Sequence, residues 1–168
     1  MRRRLIYFSI LFLVLALIKV GARTFDKEPS VPVARGRDHA CFRYRTAERR
    51  FATKVNRERA SNLSLDPELS RVARKHTRAM VRRKLLYHTP SNRLAGRVTH
   101  WMLLGENVGV GGSVGSLHRA FMHSPPHRAN VLRSSFRHLG VGTKRKGRLW
   151  VTVLFEAAKD PGTTLSMC

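Results

Sequence analysis

Three side chains in the middle of this chain have the types needed for proton transfer or metal binding. They are His88 in Y-H-T, Glu106 in L-G-E-N-V and His127 in S-P-P-H-R-A-N-V-L. A carboxylate beside an imidazole can hold a proton in place. Two imidazoles in different surroundings can divide the work of general acid and base. Two imidazoles, a carboxylate and a water form the shell of a catalytic zinc. Each residue also has a plainer reading. His88 could be a solvated loop histidine, Glu106 a carboxylate that accepts backbone N–H bonds, and His127 a helix-cap histidine. Glu106 is the most constrained, because it interrupts an apolar run and burying a bare carboxylate is costly. His127 falls in the first turn of a helix opened by Ser124 and Pro125. The dipole there favours the neutral ring, the form that ligates or accepts a proton.

The surrounding residues sort by context. Asn107 is expected to satisfy backbone groups at the cleft, and Ser124 to cap the helix of His127. His123 is close enough in sequence to His127 to widen a cleft, though it and His118 read as surface residues. His76 lies on the apolar stripe of a helix and reads as a satisfied core histidine. His100 and His138 carry no signal. No H-E-x-x-H spacing occurs, so composition and spacing alone do not define a metal site.

Several elements must position these groups. Thr46 is placed to cap a first helix, with Ala47, Phe51 and Val55 on one face. Asp66-Pro67-Glu68 starts a second, with a capping aspartate and proline at the first helical position. Its apolar face is Leu69, Val72, Ala73, His76 and Met80. Arg71, Arg74, Lys75, Arg78 and Arg82 form its cationic face. Residues 87–99, with Pro90 and Gly96, read as a loop. Residues 101–110 read as a strand entering a glycine turn at Gly109, Gly111 and Gly112. Residues 113–123 form a third helix with Leu117, Ala120 and Phe121 inward, and a short fourth follows from Ser124. Residues 139–143 and 149–156 read as strands joined by a hairpin turn over 144–148. The order of elements predicts an α/β domain of the α+β kind rather than a βαβ repeat.

Length and charge set the setting. The 168 residues suffice for one domain and a leader, and the formal net charge is +23, from 33 Lys and Arg against 10 Asp and Glu. Such an excess favours polyanions: nucleic acid, teichoic-type polymers or an anionic membrane surface. Arg2, Arg3 and Arg4 precede an uncharged run from Leu5 to Ile18. As a helix that run would reach about 21 Å, short of the roughly 30 Å hydrocarbon core. Val20-Gly21-Ala22 then offers small residues for cleavage. Residues 1–22 are thus expected to be a signal peptide, with an uncleaved membrane anchor as the alternative. Residues 23–40 read as a polar linker and 41–168 as the domain. An exported chain permits a disulfide, and Cys41 and Cys168 could close nearly the whole domain. Unpaired thiols or an intermolecular link are the other outcomes.

Taken together, V-N-R-E-R-A (55–60), D-P-E-L-S-R-V-A (66–73), Y-H-T, G-E-N-V, S-P-P-H-R-A-N-V-L and L-G-V-G (139–142) resemble the CAP superfamily. This family is also called SCP-like, or cysteine-rich secretory, antigen 5 and pathogenesis-related type 1. The likeness is to the short bacterial exported form and covers about residues 47–157. It implies a three-layer α–β–α sandwich with a cleft of two histidines and two acids, which binds a divalent metal in some members. His88, Glu106 and His127 match three of the four, and the resemblance makes them candidate ligands for zinc. At the fourth position this chain has Ser124, with Phe121 in place of the tryptophan of W-x-x-E. A second acid is therefore missing from any two-carboxylate mechanism.

The family includes sterol and lipid binders and a few members reported as proteases, so the resemblance implies a cleft and not a reaction. Three functions are consistent with the sequence. The first is an exported protein whose cleft (His88, Glu106, Asn107, His123, Ser124, His127) takes a small apolar or anionic ligand, with or without a divalent metal. The second is a non-catalytic binder of anionic cell-wall or nucleic-acid polymers. The third is a histidine-dependent hydrolase or phosphodiesterase.

Overall fold

The computed structural model of the chain describes residues 4–5, 41–157 and 168. The readings of a leader, its cleavage, an anchor and a linker fall outside the described residues, apart from Arg4 and Leu5. Among the described residues no helix is long and apolar enough to cross a membrane.

In chain order the elements are β1 (Arg4–Leu5), α1 (Thr46–Arg57), β2 (Ser64–Leu65), α2 (Pro67–Arg83), α3 (Ser91–Ala95), β3 (Leu103–Gly111), α4 (Val114–His123), α5 (Pro125–Leu132), β4 (His138–Lys146) and β5 (Arg148–Ala157). The sheet runs β1-β3-β5-β4-β2. Three long antiparallel strands form its body, and the two-residue strands β1 and β2 pair parallel at its edges.

The central strand β5 is buried along nearly its whole length, so successive side chains must fill two different cores. Leu149, Val151, Val153 and Phe155 meet Phe51 and Val55 of α1, Leu117 and Phe121 of α4 and Val131 of α5. Leu154, with Leu104 of β3, meets Leu69, Val72 and Ala73 of α2 and Leu94 of α3. Helices thus cover both faces, and the expected α–β–α sandwich is what the chain forms.

Helix α2 lies unusually close to β4. A Cβ on Gly140 would stand 2.2 Å from the backbone carbon of Leu69, and one on Gly142 would stand 2.2 Å from the backbone nitrogen of Arg74. The strand's small side lets helix and strand bond directly. Ser70 Oγ accepts from the Val141 N–H at 3.1 Å, and Thr77 Oγ1 donates to the Gly142 carbonyl at 2.9 Å. The start of α2 is as expected: Asp66 caps it by accepting from the Leu69 N–H at 2.7 Å. Lys84, in the left-handed region at φ 53°, ends it.

Other local readings need correction. Thr46 is the first residue of α1 and Arg45 its cap. The Arg45 N–H is satisfied by the carboxylate of Glu48, which is anchored from across the core by Arg74. The loop over 87–99 contains the short helix α3. Gly109 and Gly111 belong to β3 rather than to a turn, because α4 packs on them. A Cβ at either would come to 3.0 Å from Leu117. On α4 it is His118, not Ala120, that turns inward. Residues 144–146 stay paired in the hairpin, and Gly147 at φ 64° makes the turn.

Cys41 and Cys168 form a disulfide, with Cα atoms 4.9 Å apart and a sequence separation of 127. Closing so long a loop restricts the unfolded chain by about 4–5 kcal/mol in the chain-entropy model.

Candidate functional site: a histidine pair across an edge strand

Among the described residues β1 pairs with β3 at Leu103 and Leu104. Beyond them β3 carries Glu106 and Asn107, whose side chains leave opposite faces of the sheet. Glu106 turns to the α2 side and Asn107 to the α5 side. The candidate site straddles this strand.

On the α2 side Glu106 is buried and fully engaged. Its Oε2 accepts from the Thr89 N–H at 2.8 Å and lies 2.9 Å from His88 Nδ1, while Oε1 accepts from Thr89 Oγ1 at 2.7 Å. A carboxylate only accepts, so Nδ1 of His88 is the nitrogen that carries the proton of this bond. The His88 side chain is 50% exposed and the Glu106 side chain 2%. The acid thus stands behind the imidazole and orients it. Beneath them His76 is buried. Its Nε2 donates to the Tyr87 carbonyl at 2.7 Å and lies 4.0 Å from Glu106 Oε1. Its ring meets Tyr87 edge-on at 4.9 Å. His76 is the satisfied core histidine expected, and it braces the segment that carries His88.

On the α5 side His127 is half-buried against Phe121, ring centroids 4.9 Å apart. Its Nδ1 lies 2.9 Å from Ser124 Oγ. Asn107, fully buried, donates to the His127 carbonyl at 2.9 Å and accepts from Asn130 Nδ2 at 2.9 Å. Asn130 also donates to the Glu106 carbonyl at 3.3 Å. This ladder fixes the first turn of α5 to the strand. Burial lowers the His127 pKa, and the charge of His88 lowers it further. The two rings therefore interact electrostatically across the strand, and burial favours the neutral form of His127.

The structure thus gathers His88 and Glu106 directly and sets His127 and Ser124 opposite them. It does not bring His123 into the group. That ring is exposed, and its Nδ1 donates back to the Arg119 carbonyl of its own helix at 2.8 Å. His118, read as a surface residue, is buried against Phe51 and 3.6 Å from Glu58. Burial lowers its pKa. Sequence reasoning missed Thr89 and Asn130. Their only signal is a hydroxyl next to His88 and a polar residue among the apolar positions of α5.

A second buried carboxylate, Glu156, stands apart from this cluster. It pairs in register with Leu104 and His138. Burial, and then the charges of Asp66 and Glu68, raise its pKa from 4.5 to about 8. A raised carboxylate stabilises the fold below its unfolded pKa and loses that contribution as pH rises to the folded value. Stability should therefore fall between about pH 4.5 and pH 8 through this group. Glu156→Gln should flatten that slope in urea titrations, and an unchanged slope would show that Glu156 is ionised in the fold.

The donor set bears on the implied metal. Glu106 already accepts three hydrogen bonds, and among the described residues no group of three or more His, Cys, Asp or Glu forms a metal-ion site. A cation would have the outer nitrogens of His88 and His127, with Glu106 as an orienting partner behind His88.

Comparison with known proteins agrees with this architecture. The model of the CAP, cysteine-rich secretory protein family, matches residues 39–155. An extracellular protein containing an SCP domain from Bacillus anthracis is 23% identical, with TM-score 0.58, the match covering 66% of this chain and 40% of that one. This chain therefore spans well under half of that protein. An outer surface protein from Borrelia burgdorferi is 17% identical, with TM-score 0.61, the match covering 66% of this chain and 92% of that one. Venom allergen-like protein 4 from Schistosoma mansoni is 9% identical, with TM-score 0.54 and coverage of 74% and 97%. Curated protein sequences give no significant match. Sheet order, helical layers and the matched segment lead to one conclusion: this chain belongs to the CAP family of cysteine-rich secretory proteins.

Proposed function

We propose that the chain is an exported CAP-domain protein whose cleft binds a small ligand between His88 and His127. One observation carries the reading: Glu106, itself held by Thr89, engages Nδ1 of His88 while half of that imidazole stays exposed. A merely structural carboxylate would not leave a half-exposed imidazole so oriented. Export is supported by the disulfide, by the leader-like N-terminus and by the extracellular relatives of the same fold. The loop that delivers His88 also exposes Leu85 and Leu86, at 58% and 43%, which suits a ligand with an apolar part.

Zinc is a probe of the same pair. Two imidazoles are fewer than the three protein ligands of a catalytic zinc shell, so zinc binding should be weak. Its loss in His88→Ala, and a weakening of roughly 10–100-fold in Glu106→Gln, would follow from the orienting role of Glu106. Calorimetric titration of the full chain measures this. Equal zinc affinity in wild type and both variants would remove the cleft from the reading. A second reading, an acid–base hydrolase, is favoured by one observation. Burial favours the neutral form of His127 while His88 is backed by a carboxylate, which separates the two rings in role. It requires turnover that both His88→Ala and His127→Ala abolish.

A further inference from the structure

Apart from the histidine cleft, α1, the start of α4 and the outer end of β4 enclose a groove of about 780 Å³. Its charged lining is Arg45, Arg50, Lys54, Lys144 and Arg145, with no acidic residue; Ser113, Val114 and Leu149 lie among them. We propose that this groove binds a chain of phosphodiesters, an exported protein's contact with single-stranded nucleic acid or with a polyol-phosphate polymer. The proposal does not depend on the histidine cleft.

Three observations carry it. First, the groove is not neutralised from within. Glu48, the sole acid of α1, is fully buried and bonded to Arg74; its Oε1 lies 3.9 Å from Arg45 Nη1, the one lining cation it reaches. Second, two of the cations are set in place by the walls. Arg45 Nη1 donates to the Thr143 carbonyl, and Arg145 Nη2 to the Gly112 carbonyl at 3.2 Å. Both guanidiniums keep further N–H donors for a bidentate oxyanion. Third, the charges are strung out along the groove. Arg45 at the cap of α1, and Arg50 and Lys54 on the helix, are separated axially by about 7.5 Å and about 6 Å, so they match several successive charges better than one compact anion. A concave site also admits a chain, whereas a flat bilayer would meet the protein's convex faces. The cationic face of α2, by contrast, is a convex helix surface with exposed Arg71 and Arg78.

The test uses the full chain with two probes, a fluorescent oligothymidylate and poly(glycerol phosphate), titrated at several salt concentrations. Arg50 and Lys144 are exposed, so Arg50→Gln/Lys144→Gln should fold normally, which circular dichroism checks. Its affinity for at least one probe should fall 10-fold or more. The slope of log K against log salt should decrease by about 1.4, or 0.7 per lost contact. The control Arg71→Gln/Arg78→Gln, with the same net charge, should change affinity less than 3-fold. The probe that responds identifies the source of the phosphodiester. Equal losses in the two variants would reduce binding to net charge and overturn the groove. Failure of both probes at low salt would overturn it too. Groove-dependent binding to phosphatidylserine vesicles without binding to either polymer would assign the groove to a lipid surface and overturn the polymer reading.

Discussion

Gly140→Ala should destabilise the domain by more than about 3 kcal/mol, at or beyond the usual upper range for overpacking a core. The added methyl would lie 2.2–2.4 Å from the Leu69 backbone carbon, the Leu69 Cβ and the Ser70 nitrogen. None of these is the end of a flexible side chain, so α2 or β4 must move as a unit. Any such movement pulls Ser70 and Thr77 away from the strand groups they bond. Against a typical total stability of about 5–15 kcal/mol this is a large fraction. Gly112→Ala is the control, because a Cβ there meets nothing within 4 Å; it should stay within about 0.5 kcal/mol of wild type. Urea midpoints decide the matter. Gly140→Ala with a wild-type midpoint would mean that α2 and β4 are not in the close contact described.

Glu48→Ala is the second large effect, expected at about 3–5 kcal/mol. Glu48 is fully buried and accepts from Arg74 Nε at 2.8 Å, the Arg45 N–H at 2.9 Å and the Thr143 N–H at 3.3 Å. Its loss strands the Arg74 guanidinium, 13% exposed, with the Arg43 carbonyl at 2.6 Å and the Phe42 ring at 4.2 Å as remaining neighbours. Glu48→Leu/Arg74→Met should recover much of the loss, because the cost lies in an uncompensated buried charge rather than in the missing attraction. A double variant no more stable than Glu48→Ala would contradict that account.

What is legible in the sequence follows from how local each cause is. Asp66-Pro67 marks the start of α2 because capping involves only adjacent residues. The period of β5 and of the helices points to the layers. The fold family can be read from short segments in order. Contacts formed across the chain are harder. Thr46 reads as the cap of α1 because nothing nearby shows that Arg74 fixes Glu48. Gly109 and Gly111 resemble a turn, yet they make room for Leu117. His118 reads as exposed because its buried place depends on Phe51 from another helix. The site divides the same way. His88, Glu106 and His127 stand out by type and motif. Thr89, which holds Glu106 with two bonds, is visible only once loop and strand are brought together.

The close seating of α2 on β4 has a consequence for His88. The helix rests on Gly140 and Gly142, and the chain leaving its far end delivers Tyr87, His88 and Thr89 to Glu106. The position of His88 is therefore indexed to the middle of the sheet and not to the loop that bears it. An imidazole held in this way has little side-chain freedom left to lose. Substitutions beneath α2, remote from His88, would shift the imidazole together with the helix.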